Sequence, residues 1–218
     1  MARQDIANSA QISVHPWGLG SSRVEYREAW AEQKRVHAQV VAGTAPPTLL
    51  MLEHDPVFTA GSATQPQDRP VDGSPVVDVD RGGRITWHGP GQLVVYPIVR
   101  LRQPLDVVDF VRRLERAVMA ACATIGLETG QVPGRSGVWV EDSRKVCAIG
   151  IRVSRGATMH GLALNCSNDL AWYDRIVPCG IRDASVTTLS RELGREVTIV
   201  EAAEALTDPL IEQLRGAV

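Results

Sequence analysis

The chain has 218 residues, 44% hydrophobic and 22% charged, with a formal net charge of -2. This length supports one well-buried core, and the ordinary composition excludes both a disordered chain and a fibrous repeat. The near balance of interspersed acids and bases argues against a protein that works by neutralising many phosphates, so no nucleic-acid partner is expected.

From Met1 to Ala10 the sequence is polar and lacks the apolar core of a secretory signal. No later stretch approaches the ~18 uninterrupted apolar residues of a membrane span, so a cytoplasmic protein without a membrane partner is expected. We read residues 1–11 as a loose start and 12–218 as a single catalytic domain. Ile12 to His15 alternates as a strand does, and Ser22 with Glu25 has the spacing of a capping box, opening a helix that ends near Gly43. Tyr26, Trp30, Gln33 and Lys34 lie along that helix at helical spacing. After the break at Ala45-Pro46-Pro47, Thr48 to Glu53 is a continuous apolar run of strand length, ended by His54-Asp55-Pro56. Val57 to Ala60 is a further strand, and a polar loop then reaches about Ser74, a length at which loops often serve as lids.

Three strands follow, Val76 to Val79, Arg84 to Trp87 and Leu93 to Val99, separated by glycine-rich turns. Asp106 to Ile125 is an amphipathic helix with Val107, Val108, Val111, Leu114 and Val118 as its apolar positions, Arg112, Arg113 and Arg116 facing solvent or a partner, and Gly126 as its stop. Val138 to Val140, Val146 to Val153 and Met159 to Leu164 are three more strands. Thr198 and Glu201 cap a last helix that Pro209 must bend or end. Strands clustered between helices and joined by short turns predict an α+β fold, a mixed and largely antiparallel sheet with flanking helices.

Chemistry-bearing residues concentrate in four segments. In Arg81-Gly82-Gly83-Arg84-Ile85-Thr86-Trp87-His88-Gly89-Pro90-Gly91-Gln92 the glycines let backbone approach a ligand, while Arg81, Thr86, His88 and Gln92 offer polar contacts to an ester, thioester or amide. The same composition also suits a pair of tight hairpin turns, and it matches neither a Walker loop nor a dinucleotide fingerprint. In Arg144-Lys145-Val146-Cys147-Ala148-Ile149-Gly150 a lysine heads an apolar strand, and alternation predicts Lys145 and Cys147 on one face. His160-Gly161 repeats the context of His88-Gly89, which suggests one lined cleft. Pro178-Cys179-Gly180-Ile181 sets a thiol between proline and glycine, where it is more readily presented than packed. Cys122, Cys147, Cys166 and Cys179 show no C-x-x-C spacing, so neither a disulfide framework nor a metal site is expected. A thiolate beside an amine is a strong nucleophile with a proton carrier at hand, and the pairing points to acyl transfer; Cys147 competes with Cys179 for the role.

Together these segments resemble the lipoyl(octanoyl) transferases, the octanoyl-carrier-protein:protein octanoyltransferases of lipoate biosynthesis. The likeness is carried by Leu19-Gly20 with Tyr26 and Trp30, and by the runs Leu52 to Gly61, Arg81 to Gln92, Lys145 to Gly150, His160 to Asn165 and Pro178 to Ile181. It implies the catalytic module shared with lipoate and biotin protein ligases, Cys179 as the residue that holds the octanoyl group as a thioester, and Lys145 as its assistant. Substrate contacts are implied for Arg81, Gly82, Gly83, Arg84, Ile85, Thr86, Trp87 and His88, for Ala148, Ile149 and Gly150, and for Gly161, Leu162 and Ala163. The implied reaction moves an octanoyl or lipoyl group from acyl carrier protein to a lysine ε-amine of lipoyl domains, those of 2-oxoacid dehydrogenase acyltransferase subunits and the glycine cleavage H protein. No resident cofactor is implied, because the acyl group arrives on the carrier's phosphopantetheine, and a monomer is expected. The carrier is acidic, which makes Arg112, Arg113 and Arg116, or Arg152 and Arg155, candidates for docking it. The residues leave open an ATP-dependent lipoate or biotin ligase, a papain-like hydrolase pairing Cys179 with His88 or His160, and a catalytically silent binding module.

Overall fold

The computed structural model describes residues 11–176 and 185–218. In chain order its elements are β1 (Ser13–Trp17), α1 (Tyr26–Ala42), β2 (Thr48–Leu52), β3 (Val57–Ala60), β4 (Val76–Asp78), β5 (Thr86–His88), β6 (Gln92–Ile98), α2 (Val107–Thr124), β7 (Gly130–Val132), β8 (Arg135–Val140), β9 (Arg144–Ser154), β10 (Ala157–Asn165), β11 (Ser185–Val186), α3 (Leu189–Leu193) and α4 (Ile199–Arg215). Residues 1–10 of the expected loose start, and the motif Pro178-Cys179-Gly180-Ile181, lie outside the described residues.

The main sheet runs β1-β2-β6-β10-β9-β8-β7, with β11 paired to β9, and a small sheet runs β4-β3-β5. In the main sheet β1–β2 and β11–β9 are parallel and the remaining pairs antiparallel, so the sheet is mixed and largely antiparallel, as the strand clustering predicts. Both faces are covered, which is why β2 and β6 are buried at every position. Strand alternation then sorts the side chains. Leu49, Met51, Leu93, Val95, Cys147, Leu162 and Leu164 join α2 and α4 in the largest core. Leu50, Leu52, Val94, Tyr96 and Ala163 turn the other way and meet Val36 and Val40 of α1.

Several sequence expectations change for identifiable reasons. Glu25, not Ser22, caps α1, accepting the Glu28 amide at 2.9 Å. Val24 is held extended by a bridge to His54, so the chain cannot turn helical before Glu25. The strands around Arg81 to Gln92 do not form successive hairpins: β5 pairs with β3 in the small sheet, while β6 enters the main one. That segment is therefore a crossing between sheets. The loop to Ser74 is pinned, because buried Asp68 accepts from the Gln65 amide at 2.8 Å and from Arg84 at 3.3 Å. Proline inside a helix costs about 3 kcal/mol, yet α4 continues through Pro209 to Arg215. Leu206, Leu210 and Leu214 are fully buried, and at about 1.5–3 kcal/mol each their burial outweighs the loss.

The arginines of α2, half-buried or exposed, make contacts within the molecule. Arg112 meets buried Glu115 at 2.6 Å, Arg113 binds Asp109 at 2.6 Å and the Gln213 carbonyl at 3.2 Å, and Arg116 reaches the Gln213 side chain at 3.1 Å. Arg152 pairs with Asp80. Among the described residues no helix is long and apolar enough to cross a membrane.

Candidate active site

A cavity of about 200 Å³ lies between the main sheet and the Arg81–His88 segment. Its floor is made by small residues. The positions of β9 and β10 that alternation turns toward α1 are Ala148 and Gly150, in register with Ala163 and Gly161. The same face of β2 carries Leu50 and Leu52, so these four residues leave a trench where larger side chains would fill the space. The roof is fixed to the floor: the Gly82 amide donates to the Ile151 carbonyl at 2.9 Å. A Cβ on Gly150 would come within 2.9 Å of the Gly82 oxygen, so only glycine allows this approach. Along the walls, Gly83, Gly134 and Ser136 are exposed whereas Tyr26, His88, Val94 and Tyr96 are buried. The trench thus opens toward β8 and closes against β6 and α1.

Arg81 is buried and holds the roof together, donating to the Thr59 carbonyl at 2.7 Å, to Thr59 Oγ1 at 2.9 Å and to the Arg84 carbonyl at 2.8 Å. Lys145 is only 6% exposed and lines the cavity on its β8 side, with Nζ 4.5 Å from the centre of the Trp139 ring. The aromatic face partly replaces the water contacts that a buried lysine side chain loses. Lys145 and Cys147 do not share a surface as strict alternation predicts. Between Val138 and Trp139 the β8–β9 register shifts, a bulge that turns Lys145 to the cavity and leaves Cys147 in the core. Cys147, Cys122 and Cys166 are all buried. Burial pushes the Cys122 thiol up to about 11, that of Cys166 up to about 12, and that of Cys147 well above its ordinary value. None of the three is poised as a thiolate near neutral pH.

His88 lies at the closed end, stacked on Tyr26 with ring centres 6.1 Å apart. Its Nδ1–H donates to Gln92 Oε1 at 2.8 Å, and burial pushes its pKa down to about 3, so the ring is neutral. Gln92 continues the network, donating to Asn165 Oδ1 at 2.8 Å and to the Tyr173 hydroxyl at 3.0 Å, and Asn165 donates to the Thr187 carbonyl at 3.0 Å. The Thr187 amide donates to the Lys145 carbonyl at 2.9 Å, closing a buried path between the two ends of the site. His160 also lines the cavity. It sits at φ 57, a region strained for any residue but glycine, and its Nε2–H donates to Asp80 Oδ1 at 2.7 Å.

Among the described residues, the structure brings the sequence-predicted ones together with one exception. Arg81 through Thr86, His88, Lys145, Ala148 through Gly150 and Gly161 through Ala163 all line this cavity. Trp87 does not: on β5 it points opposite to Thr86 and His88, stacking on Trp172 at 5.6 Å in a separate cluster with Phe58 and Tyr173. Cys179 lies outside the described residues. Sequence reasoning missed Val94 and Tyr96 at the closed end and Gly134 to Ser136 at the opening. Val94 and Tyr96 sit in a strand buried on both faces, where no polar alternation marks which side meets a site.

A blind trench with a small-residue floor and a buried amine along its open half has the form that an acyltransferase needs. Residues 25–211 match the model of the lipoyl protein ligase A/B catalytic domain, and the chain belongs to that family. It is 58% identical to an octanoyltransferase of Salinispora arenicola, over 84% of this chain and 89% of that one. It is 58% identical to an octanoyltransferase of Clavibacter sepedonicus, over 93% and 91% of the two chains. Among solved structures, a lipoate-protein ligase A bound with ATP superposes with a TM-score of 0.69 at 16% identity, covering 94% of this chain and 85% of that one. A bipartite lipoate protein ligase from Thermoplasma acidophilum, studied with its E2 lipoyl domain, gives 0.68 at 15% identity, covering 94% and 83%. The structural likenesses speak for the fold alone.

Proposed function

We propose that the chain transfers an octanoyl group from acyl carrier protein to a lysine ε-amine of a lipoyl domain, through a thioester on Cys179 and with Lys145 as proton carrier. The observation that carries this reading is the buried Lys145 amine on the wall of a trench shaped for an extended apolar chain. Two further facts support it. Residues 177–184, which include Cys179, rejoin the described chain at Ser185, and Ser185 and Val186 pair in register with Arg144 and Lys145. The other three cysteines are buried with their thiols pushed up. Against a papain-like pairing with His88, both its ring nitrogens are engaged, Nδ1 by Gln92 and Nε2 by Thr59 at 3.4 Å.

In the first half-reaction Lys145 takes the thiol proton and the Cys179 sulfur attacks the thioester carbonyl. The bond to the pantetheine sulfur breaks, and Lys145 returns the proton to that leaving thiol. In the second half, the acceptor lysine nitrogen attacks the acyl-enzyme, the bond to Cys179 breaks, and the proton lost by nitrogen passes through Lys145 to the cysteine sulfur. In this reading, backbone N–H groups of the glycine-rich segments hold the oxyanion. The reaction needs no resident cofactor and no ATP, and it belongs in the cytoplasm with its carrier and acceptor. The test is mass spectrometry after mixing with octanoyl carrier protein. An octanoyl adduct on the Cys179 peptide, passed on to an added lipoyl domain, is expected; an adduct on Cys147, or turnover only with ATP and free octanoate, overturns the reading.

A further inference from the structure

Resting on the octanoyl reading above, we propose that Val94 and Tyr96 of β6 set the acyl-chain length by forming the end wall of the trench. The cross-strand register makes the case. One row across the sheet reads Ala148, Ala163, Val94, each paired to the next. The neighbouring row pairs Gly150 with Gly161, and Tyr96 lies two residues beyond Val94 on the same face of β6. The floor is low on β9 and β10 and rises at β6, where branched and aromatic side chains begin. From β9 to β6 is two strand spacings, about 10 Å, comparable to the extended length of an eight-carbon chain whose head lies near Lys145.

The wall is also stiff. The Tyr96 hydroxyl donates to His54 Nε2 at 2.7 Å, and His54 Nδ1–H donates to the Val24 carbonyl at 2.8 Å. Tyr26 packs on His54 at 5.1 Å and on His88 at 6.1 Å between ring centres, leaving the wall backed by buried rings. Attraction alone discriminates chain lengths weakly, at about fourfold per buried methylene. A fixed wall rejects the longer chain sterically, which attraction cannot do.

Transfer rates from hexanoyl, octanoyl, decanoyl and dodecanoyl carrier protein to a lipoyl domain, measured for the unaltered chain, Val94→Ala and Ala163→Val, test the proposal. Val94→Ala is expected to raise the decanoyl-to-octanoyl ratio about tenfold, a gain that misfolding cannot mimic. Ala163→Val is expected to raise the hexanoyl-to-octanoyl ratio by a similar factor. A Val94→Ala profile that superimposes on the unaltered one, in protein with a cooperative thermal transition, overturns the proposal. Should Val94→Ala fail to fold, an unchanged ratio in Ala163→Val overturns it instead. An unaltered chain that transfers none of the four acyl groups refutes the octanoyl reading itself, before any variant is compared.

Discussion

The two faces of the main sheet are built from the same strands and do opposite things. Toward α2 and α4, β9 and β10 present Cys147, Leu162 and Leu164, which fill space and silence a thiol by burial. Toward α1, one residue along each strand, they present Ala148, Gly150, Gly161 and Ala163, which leave space and admit a lysine. The lesson is that one alternating pattern can carry a core on one set of positions and a site on the positions between them. Chemistry on this sheet depends on which side a residue faces more than on its type.

The largest expected effect lies on the trench face. Lys145→Ala should slow acyl-enzyme formation by about 10²–10⁴, the usual contribution of a positioned proton carrier, while leaving the unfolding midpoint close to that of the unaltered chain. Single-turnover mass spectrometry reads the first and denaturant titration the second; an unchanged acylation rate would remove Lys145 from the mechanism. On the opposite face, Glu115 is fully buried between Arg112, Gln131 and the Gly137 amide. Glu115→Ala leaves those partners without their carboxylate, and a loss of about 3 kcal/mol in unfolding free energy is expected.

The faces should also separate by pH. Burial pushes His54 down to about 4 and His88 down to about 3, so both are neutral when folded and take up a proton when unfolded near their ordinary value of about 6.5. The stability they allow is complete above about pH 6.5 and falls as pH drops toward about 4, because there the unfolded chain binds more protons. Urea midpoints measured across that window should decline. Replacing His54 with Gln should flatten the slope, and an unaltered slope would mean that the closed end does not govern it. The smallest effect belongs to the buried thiol. Cys147→Ala removes one core sulfur, which should cost about 1 kcal/mol by denaturant titration and leave acylation intact. Loss of acylation there would erase the distinction between the faces.

The mixed sheet, the three long helices and the trench-lining motifs were legible because each rests on local pattern: apolar runs of strand length, capping residues, and glycines where backbone must come close. Lys145 was legible because an ammonium at the head of an apolar strand demands a special environment. Its separation from Cys147 was not, since a bulge depends on how β8 pairs with β9 and leaves no mark on β9 itself. Trp87 misled for a related reason: in a strand of three residues, motif membership says nothing about which neighbour points outward. Val94 and Tyr96 remained hidden because β6 is buried throughout, and only cross-strand register reveals what stands opposite them.

The trench floor has a consequence for how this chain can change over generations. A surface shaped by the smallest side chains has an uneven mutational neighbourhood: apart from alanine to glycine, every replacement at Ala148, Gly150, Gly161 or Ala163 adds atoms. Random drift at those sites can narrow the range of molecules handled and has almost no route to widening it. Any lineage that came to accept bulkier cargo would have to do so through residues that are already large.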